Sequence, residues 1–227
     1  MSEIWNKLIT IQDNFISEFD RTGTEVVETD MIQFNQPGWV NRVWQSDTYR
    51  RAHVDVVDAR STKGLWMMHC CIFPHVHNTA PIFGFDIIAG RNKITGCFYD
   101  FSPVTTEPHA LTSWFSEEVA DIEWNKVRKL PEWATNIFSP SIVAVGNVQE
   151  ADEITQLCDM ANYGITYYLD NLALTNNSTN NVTNAHNFYC DNQKLNPHTA
   201  KVMINLGLNE ADVTEFIHKC LFPAIKA

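Results

Sequence analysis

The sequence predicts an α/β chain built on one antiparallel sheet covered by helices. Two observations carry this: four runs with strand character follow one another between Ala52 and Phe101 with only short connections, and apolar stripes of helical period flank them on both sides in the sequence. With 227 residues, 44% apolar and 11% aromatic, the chain can bury a substantial core. No repeat or interdomain linker interrupts it, so residues 1–227 are expected to form a single domain.

Near the N-terminus Trp5, Leu8, Ile11 or Gln12, Phe15 and Phe19 recur at steps of three and four, which predicts a surface helix with one apolar face. From Ala52 the pattern becomes alternation: His53, Asp55 and Val57 share one face, while Val54, Val56 and Asp58 share the other. This is the first clear strand. After an Arg60–Gly64 turn come strands over Leu65–Phe73, Ile82–Ala89 and Ile94–Phe101. A helix is expected over Thr112–Ile122 and a further strand over Asn136–Val145. Asn147-Val-Gln-Glu150 has the spacing of a capping box. It opens a helix whose stripe is Ile154, Leu157, Ala161, Ile165, Tyr168 and Leu172. The Asn, Ser and Thr run from Thr175 to Asn187 reads as a long polar loop. A last helix opens near Asn209, buries Val213, Phe216, Ile217, Cys220 and Leu221, and stops at Pro223.

The net charge of −11 argues against nucleic acid as a partner, because neutralising phosphates needs a basic face. Local clusters such as Arg50-Arg51 and Lys126-Val-Arg128-Lys129 still leave room for an acidic protein partner. The first residues lack a secretory pattern and no run approaches the roughly 20 apolar residues of a membrane span, so a soluble cytoplasmic chain with no membrane contact is expected. Six cysteines include no CxxC pair, and buried reduced thiols are the simpler reading. His75-Val-His77 with Asp86 offers imidazole and carboxylate donors for zinc or iron, but this spacing is common by chance and no metal site is expected.

The chemistry concentrates in Met67–Pro74 and Pro81–Gly90, where His69 and Asp86 each stand as a lone ionisable residue inside an apolar strand. Burying an unpaired carboxylate costs several kcal/mol unless it is neutralised or hydrogen-bonded, so the placement calls for an explanation. On the residues alone two remain open: core polar groups that satisfy each other, or an acid–base pair facing a ligand.

The stretches His69-Cys-Cys-Ile-Phe-Pro74, Pro81-Ile-Phe-Gly-Phe-Asp-Ile-Ile-Ala-Gly-Arg91 and Asp100-Phe-Ser-Pro103 resemble the ferredoxin-dependent bilin reductases, especially their phycocyanobilin-forming branch. Val127–Trp133, Ile137-Phe-Ser-Pro140 and Tyr189–Thr199 extend the resemblance in the same order, so that it spans most of Ala52–Phe222. It implies a three-layer α/β/α sandwich with biliverdin IXα bound between the sheet and the C-terminal helices. It also implies no bound cofactor: electrons come singly from reduced ferredoxin as external donor, and the substrate passes through bilin radicals. A monomer is the simplest expectation.

Within that resemblance, Asp86 is the expected proton donor and His69 its partner. In the phycocyanobilin branch a Glu on the preceding strand is tied to reduction of the D-ring vinyl group; here Asp55 stands at the matching place, one methylene shorter. A proton donor misplaced by about 1 Å loses orders of magnitude in rate, so D-ring reduction is expected to be weakened or lost and the product to be phycoerythrobilin; phycocyanobilin is the alternative product, and a non-catalytic bilin carrier the alternative function. Arg128 matches the family's propionate-binding Arg. His198 stands where the branch has a Lys, and Asn196, unable to supply an acid proton, is expected to act as a hydrogen-bonding partner to the substrate.

Overall fold

The computed structural model describes residues 3–172 and 181–226. Its centre is a seven-stranded sheet in which every strand is antiparallel to its neighbours and the spatial order follows the sequence: β1 (Thr24–Val26), β2 (Trp39–Gln45), β3 (Tyr49–Ala59), β4 (Leu65–Pro74), β5 (Ile82–Ala89), β6 (Ile94–Ser102) and β7 (Val143–Val145). Such a meander needs only short connections. Side chains alternate across each strand, so β4 sends Trp66, Met68, Cys70 and Ile72 to one face and Met67, Cys71 and Phe73 to the other.

On the first face lie α1 (Glu3–Thr22), α3 (Ala110–Val119) and α5 (Ala151–Leu172). Their apolar stripes close on an aromatic cluster of Phe15, Phe83, Phe85, Tyr99, Phe101, Phe115 and Tyr168. The second face is covered by α2 (Thr29–Ile32), α4 (Glu132–Thr135), α6 (Thr183–Gln193), α7 (Pro197–Leu206), α8 (Glu210–Glu215) and a π-helical turn, Phe216–Leu221. Helices on both sides of the sheet make the expected α/β/α sandwich. All six cysteines are buried free thiols, and among the described residues no helix is long and apolar enough to cross a membrane.

Several elements differ from expectation. The sheet begins two strands before β3, and β3 itself opens at Tyr49 rather than Ala52. Residues 136–142 are not a strand: Ile137 and Phe138 N–H groups bond back to Ala134 O, and the Ser139 N–H is taken by Asp100, so only Val143–Val145 is left to pair with β6. Asn147 does not cap α5. It sits at φ 54°, in the turn from β7, and its Oδ1 accepts from Lys93 Nζ at 2.8 Å, while the helix starts at Ala151. The expected helix over Thr112–Ile122 runs instead over Ala110–Val119, because His109 Nδ1 accepts from Leu111 N–H and starts it earlier. Of the expected polar loop, 173–180 lie outside the described residues and Thr183–Asn187 are helical, in α6, which buries His186, Tyr189 and Cys190 on one stripe.

Candidate active site

Strand register draws one row of side chains across the second face. Asn41 pairs with Asp55, Asp55 with His69, His69 with Asp86, and Asp86 with Phe98. Directly paired residues on one face have Cβ atoms about 4.5–5.5 Å apart, so His69 stands between two carboxyl groups. The next row on that face runs Val43, His53, Cys71, Gly84 and Asp100. Gly84, next to Asp86 along β5, leaves room for the Tyr189 hydroxyl, and Gly96, next to Phe98 along β6, for the Arg128 guanidinium.

Burial is uneven along the row. Asp55 and His53 are 1% and 0% exposed, whereas His69, Gly84, Asp86, Ile88 and Phe98 are half-buried. Over the buried end the C-terminal segment closes down: the Phe222 ring meets His69 edge-on at 5.5 Å, and Phe216 meets Trp39 at 5.2 Å. This segment is pinned by Arg51, whose guanidinium holds Glu28 through two bonds of 2.9 Å and donates to Cys220 O at 2.7 Å. The half-buried end forms an apolar floor with an acid at its centre.

Second-strand residues fix the buried end. Trp39 Nε1–H donates to Asp55 Oδ1 at 2.6 Å, and Asp55 Oδ2 has no hydrogen-bond partner among the described residues. Asn35 Oδ1 accepts from both the backbone and side-chain N–H of Asn41, which turns the Asn41 oxygen to His53 Nε2 at 3.1 Å. His53 is therefore protonated on Nε2, and its Nδ1 has no hydrogen-bond partner among the described residues.

Dehydration dominates the electrostatics. Burial pushes Asp86 up to about 7. Asp55 also rises to about 7, driven by burial, held back by the Trp39 bond and raised by the nearby Asp86 charge. Burial and then the Arg51 charge push His69 down to about 4. His53 is lowered well below the usual imidazole value by burial, Arg51 and His69. Burial thus favours the neutral form of both carboxyl groups and of both imidazoles, which can donate from one nitrogen and accept at the other. Two acids able to hold protons flank a neutral imidazole in one row, and His69 Nε2 has no hydrogen-bond partner among the described residues.

Of the residues singled out in the sequence, His69, Asp86 and Asp55 come together. Arg128 lies at the half-buried end of the same face, its guanidinium 5.8 Å from the Phe98 ring centre and its N–H groups donating to Val145 O at 3.2 Å and Thr95 O at 2.6 Å. A Cβ on Gly146 would stand 2.6 Å from Arg128 Nε, so glycine there leaves room for the guanidinium. Asn196 caps α7, its Oδ1 accepting from His198 N–H at 3.0 Å; His198 is exposed, and among the described residues neither side chain bonds to the row. His75 Nε2 lies 2.9 Å from Ser46 O, and no group of three metal-ligating side chains occurs among the described residues. Sequence reasoning missed His53, Trp39 and Asn41. The alternation that placed His53 beside Asp55 was a usable signal; Trp39 and Asn41 had none without β2.

The sequence profile of the ferredoxin-dependent bilin reductases matches residues 3–223. The chain belongs to the ferredoxin-dependent bilin reductase family. As a bilin reductase it is a ferredoxin-dependent oxidoreductase. The chain is similar to the phycocyanobilin:ferredoxin oxidoreductase of Gloeobacter violaceus, at 27% identity over 190 residues, 81% of this chain and 73% of that protein. A solved structure of PcyX superposes with a TM-score of 0.74 at 35% identity, over 96% of this chain and 99% of the other. Phytochromobilin synthase from tomato, solved in complex with biliverdin, gives the same TM-score of 0.74 at 13% identity, covering 96% of this chain and 82% of that one; this likeness is one of fold.

Proposed function

We propose that this bilin reductase converts biliverdin IXα to phycoerythrobilin, with electrons delivered singly by reduced ferredoxin and protons delivered by Asp86, His69 and Asp55. The observation that carries the reading is the row itself: two acids poised near neutrality on either side of a neutral imidazole, opening onto an apolar floor. Reduction at the bridge and at the A ring each consumes two electrons and two protons, and an electron added to a conjugated tetrapyrrole makes it basic enough to take a proton from a nearby acid. An ordinary aspartate, ionised at pH 7, could not supply it; a dehydrated one can. The electrons need no group held by this chain, since the external ferredoxin supplies them and the intermediates are bilin radicals.

Asp55 supports phycoerythrobilin rather than phycocyanobilin. Its carboxyl is one methylene shorter than the Glu of the phycocyanobilin branch, and one of its oxygens is taken by Trp39. Protonation at the D-ring vinyl group is then out of reach, and that group is left unreduced. Chromatography of the bilin formed from biliverdin under anaerobic conditions tests this: phycoerythrobilin is the expected product, and phycocyanobilin would sink the assignment.

Arg128 serves one propionate of the substrate. Two of its nitrogens already bond to backbone carbonyls, which fixes the guanidinium at the rim of the floor. Asn196 and the exposed His198 are the groups proposed for the substrate's other polar edge. Arg128→Gln is expected to raise KM for biliverdin roughly 10- to 100-fold with kcat nearly unchanged, since a charged hydrogen bond made equally in ground and transition states is lost. An unchanged KM would remove Arg128 from the binding site. The exposed Lys126 and Lys129 beside it offer a basic patch to an acidic ferredoxin.

A further inference from the structure

Trp39 is 2% exposed and locked from three sides. Its backbone pairs with Val57 on β3 and closes a tight turn with Gln36, and Phe216 meets its indole edge-on at 5.2 Å. Its Nε1–H therefore points in a fixed direction, and what it meets is Asp55 Oδ1, at 2.6 Å. The other carboxyl oxygen, Oδ2, is buried with no partner among the described residues. An oxygen that accepts an indole N–H is the poor place for a proton, so the neutral acid carries it on Oδ2.

We propose that Trp39 is a positioning residue that keeps the acidic proton of Asp55 on Oδ2 and holds the carboxyl toward β2, and so limits which bilin carbon Asp55 can protonate. This rests on the reading of Asp55 as a proton donor given above. The short side chain and the indole act together: the first sets the reach of the acid, the second its direction.

The titratable and charged groups around Asp55 are His69 across on β4, Asp86 one strand further on β5, and His53 and Arg51 on its own strand, with Glu28 of the segment before α2 neutralising Arg51. From above, the C-terminal segment presents Phe216 and Phe222 to this end of the row, while His218 and Lys219 of the π-helical turn are exposed, Lys219 paired with Glu215. Among the described residues Trp39 is the side chain that hydrogen-bonds to Asp55, and its bond favours the charged form.

The test is Trp39→Phe, alone and combined with Asp55→Asn, assayed anaerobically with biliverdin and reduced ferredoxin across pH. Activity that needs a protonated Asp55 falls as pH rises. Losing the N–H favours the neutral acid, so the alkaline limb of kcat should move up by about half to one pH unit, and the product mixture should change as the carboxyl gains freedom. Both effects should vanish in the Asp55→Asn background. A loss by the same factor at every pH and in both backgrounds, or no change at all, would overturn the proposal while leaving the acid role of Asp55 intact. If Asp55→Asn itself leaves rate and products unchanged, the acid role fails and the inference with it. Infrared difference spectra of the wild type against Asp55→Asn, at a pH where the acid is protonated, give a second check that does not depend on how Trp39→Phe folds. A carboxyl C=O stretch lowered by hydrogen bonding is expected, and one at the frequency of an unbonded acid would contradict it.

Discussion

Asp86→Asn should lower turnover by roughly 10²- to 10⁴-fold and, at pH 8, make the protein more stable. The amide keeps the shape of the carboxyl but has no acidic proton to give, so the loss belongs to kcat while biliverdin still binds. The stability gain has the opposite origin. Burial raises Asp86 to about 7 in the folded chain, above the ordinary carboxylate value near 4 that it has when unfolded. A raised carboxyl contributes stability that is present below about pH 4 and is lost as pH rises through about 7, because unfolding then lets the group ionise in water. At pH 8 the native protein holds a dehydrated charge that the amide removes, a gain on the order of 1–3 kcal/mol given the half-buried position. At pH 5 the folded carboxyl is neutral and only the ionisation of the unfolded chain above about pH 4 counts against it, so the difference should shrink to roughly a third. Parallel thermal melts and rate profiles at the two pH values check both halves, and equal stability at pH 8 would show that Asp86 is not held in a dehydrated site.

Phe101→Ala should be the most destabilising single truncation on the opposite face. The ring is fully buried and lies at the centre of the aromatic cluster, stacked on Phe115 at 4.7 Å and meeting Tyr168, Phe83, Trp114 and Tyr99 at 5.0, 5.5, 5.7 and 5.8 Å. Its neighbours come from β5, β6, α3 and α5, so no one of them can move into the gap without disturbing the others. The expected cost is about 3–5 kcal/mol, a fall in Tm of roughly 10 °C for a chain of this size. Tyr168 adds to the rigidity, its hydroxyl donating to Pro81 O at 2.6 Å at the start of β5. Denaturant melts measure the loss, and a cost below about 1 kcal/mol would mean that the cluster repacks freely.

The sequence made β3 to β6 legible because their alternation is strong and their connections short, and it made α1 and α5 legible because their apolar residues keep one stripe. β2 was hidden by the same residues that give it a function. In Trp39-Val-Asn-Arg-Val-Trp-Gln45 the buried face carries Asn41 beside Trp39 and Val43, so a polar group stands where the pattern asks for an apolar one. α6 was hidden by composition: Asn and Thr have weak helix preference, and only the tertiary burial of His186, Tyr189 and Cys190 holds the helix in place. At the site, His69 and Asp86 stood out as lone ionisable residues in apolar strands. What no single strand could tell was that register sets them side by side with Asp55, or that Trp39 and Asn41 restrain the acid and the second histidine. Those are properties of strand pairing.

The most direct measurement is electron paramagnetic resonance on the Asp86→Asn protein with bound biliverdin, reduced anaerobically by ferredoxin. If Asp86 supplies the proton that follows the first electron, the bilin should take up that electron and stop, giving a persistent organic radical and no phycobilin. Phycobilin formed at the wild-type rate, with no radical building up, would show that the proton comes from elsewhere.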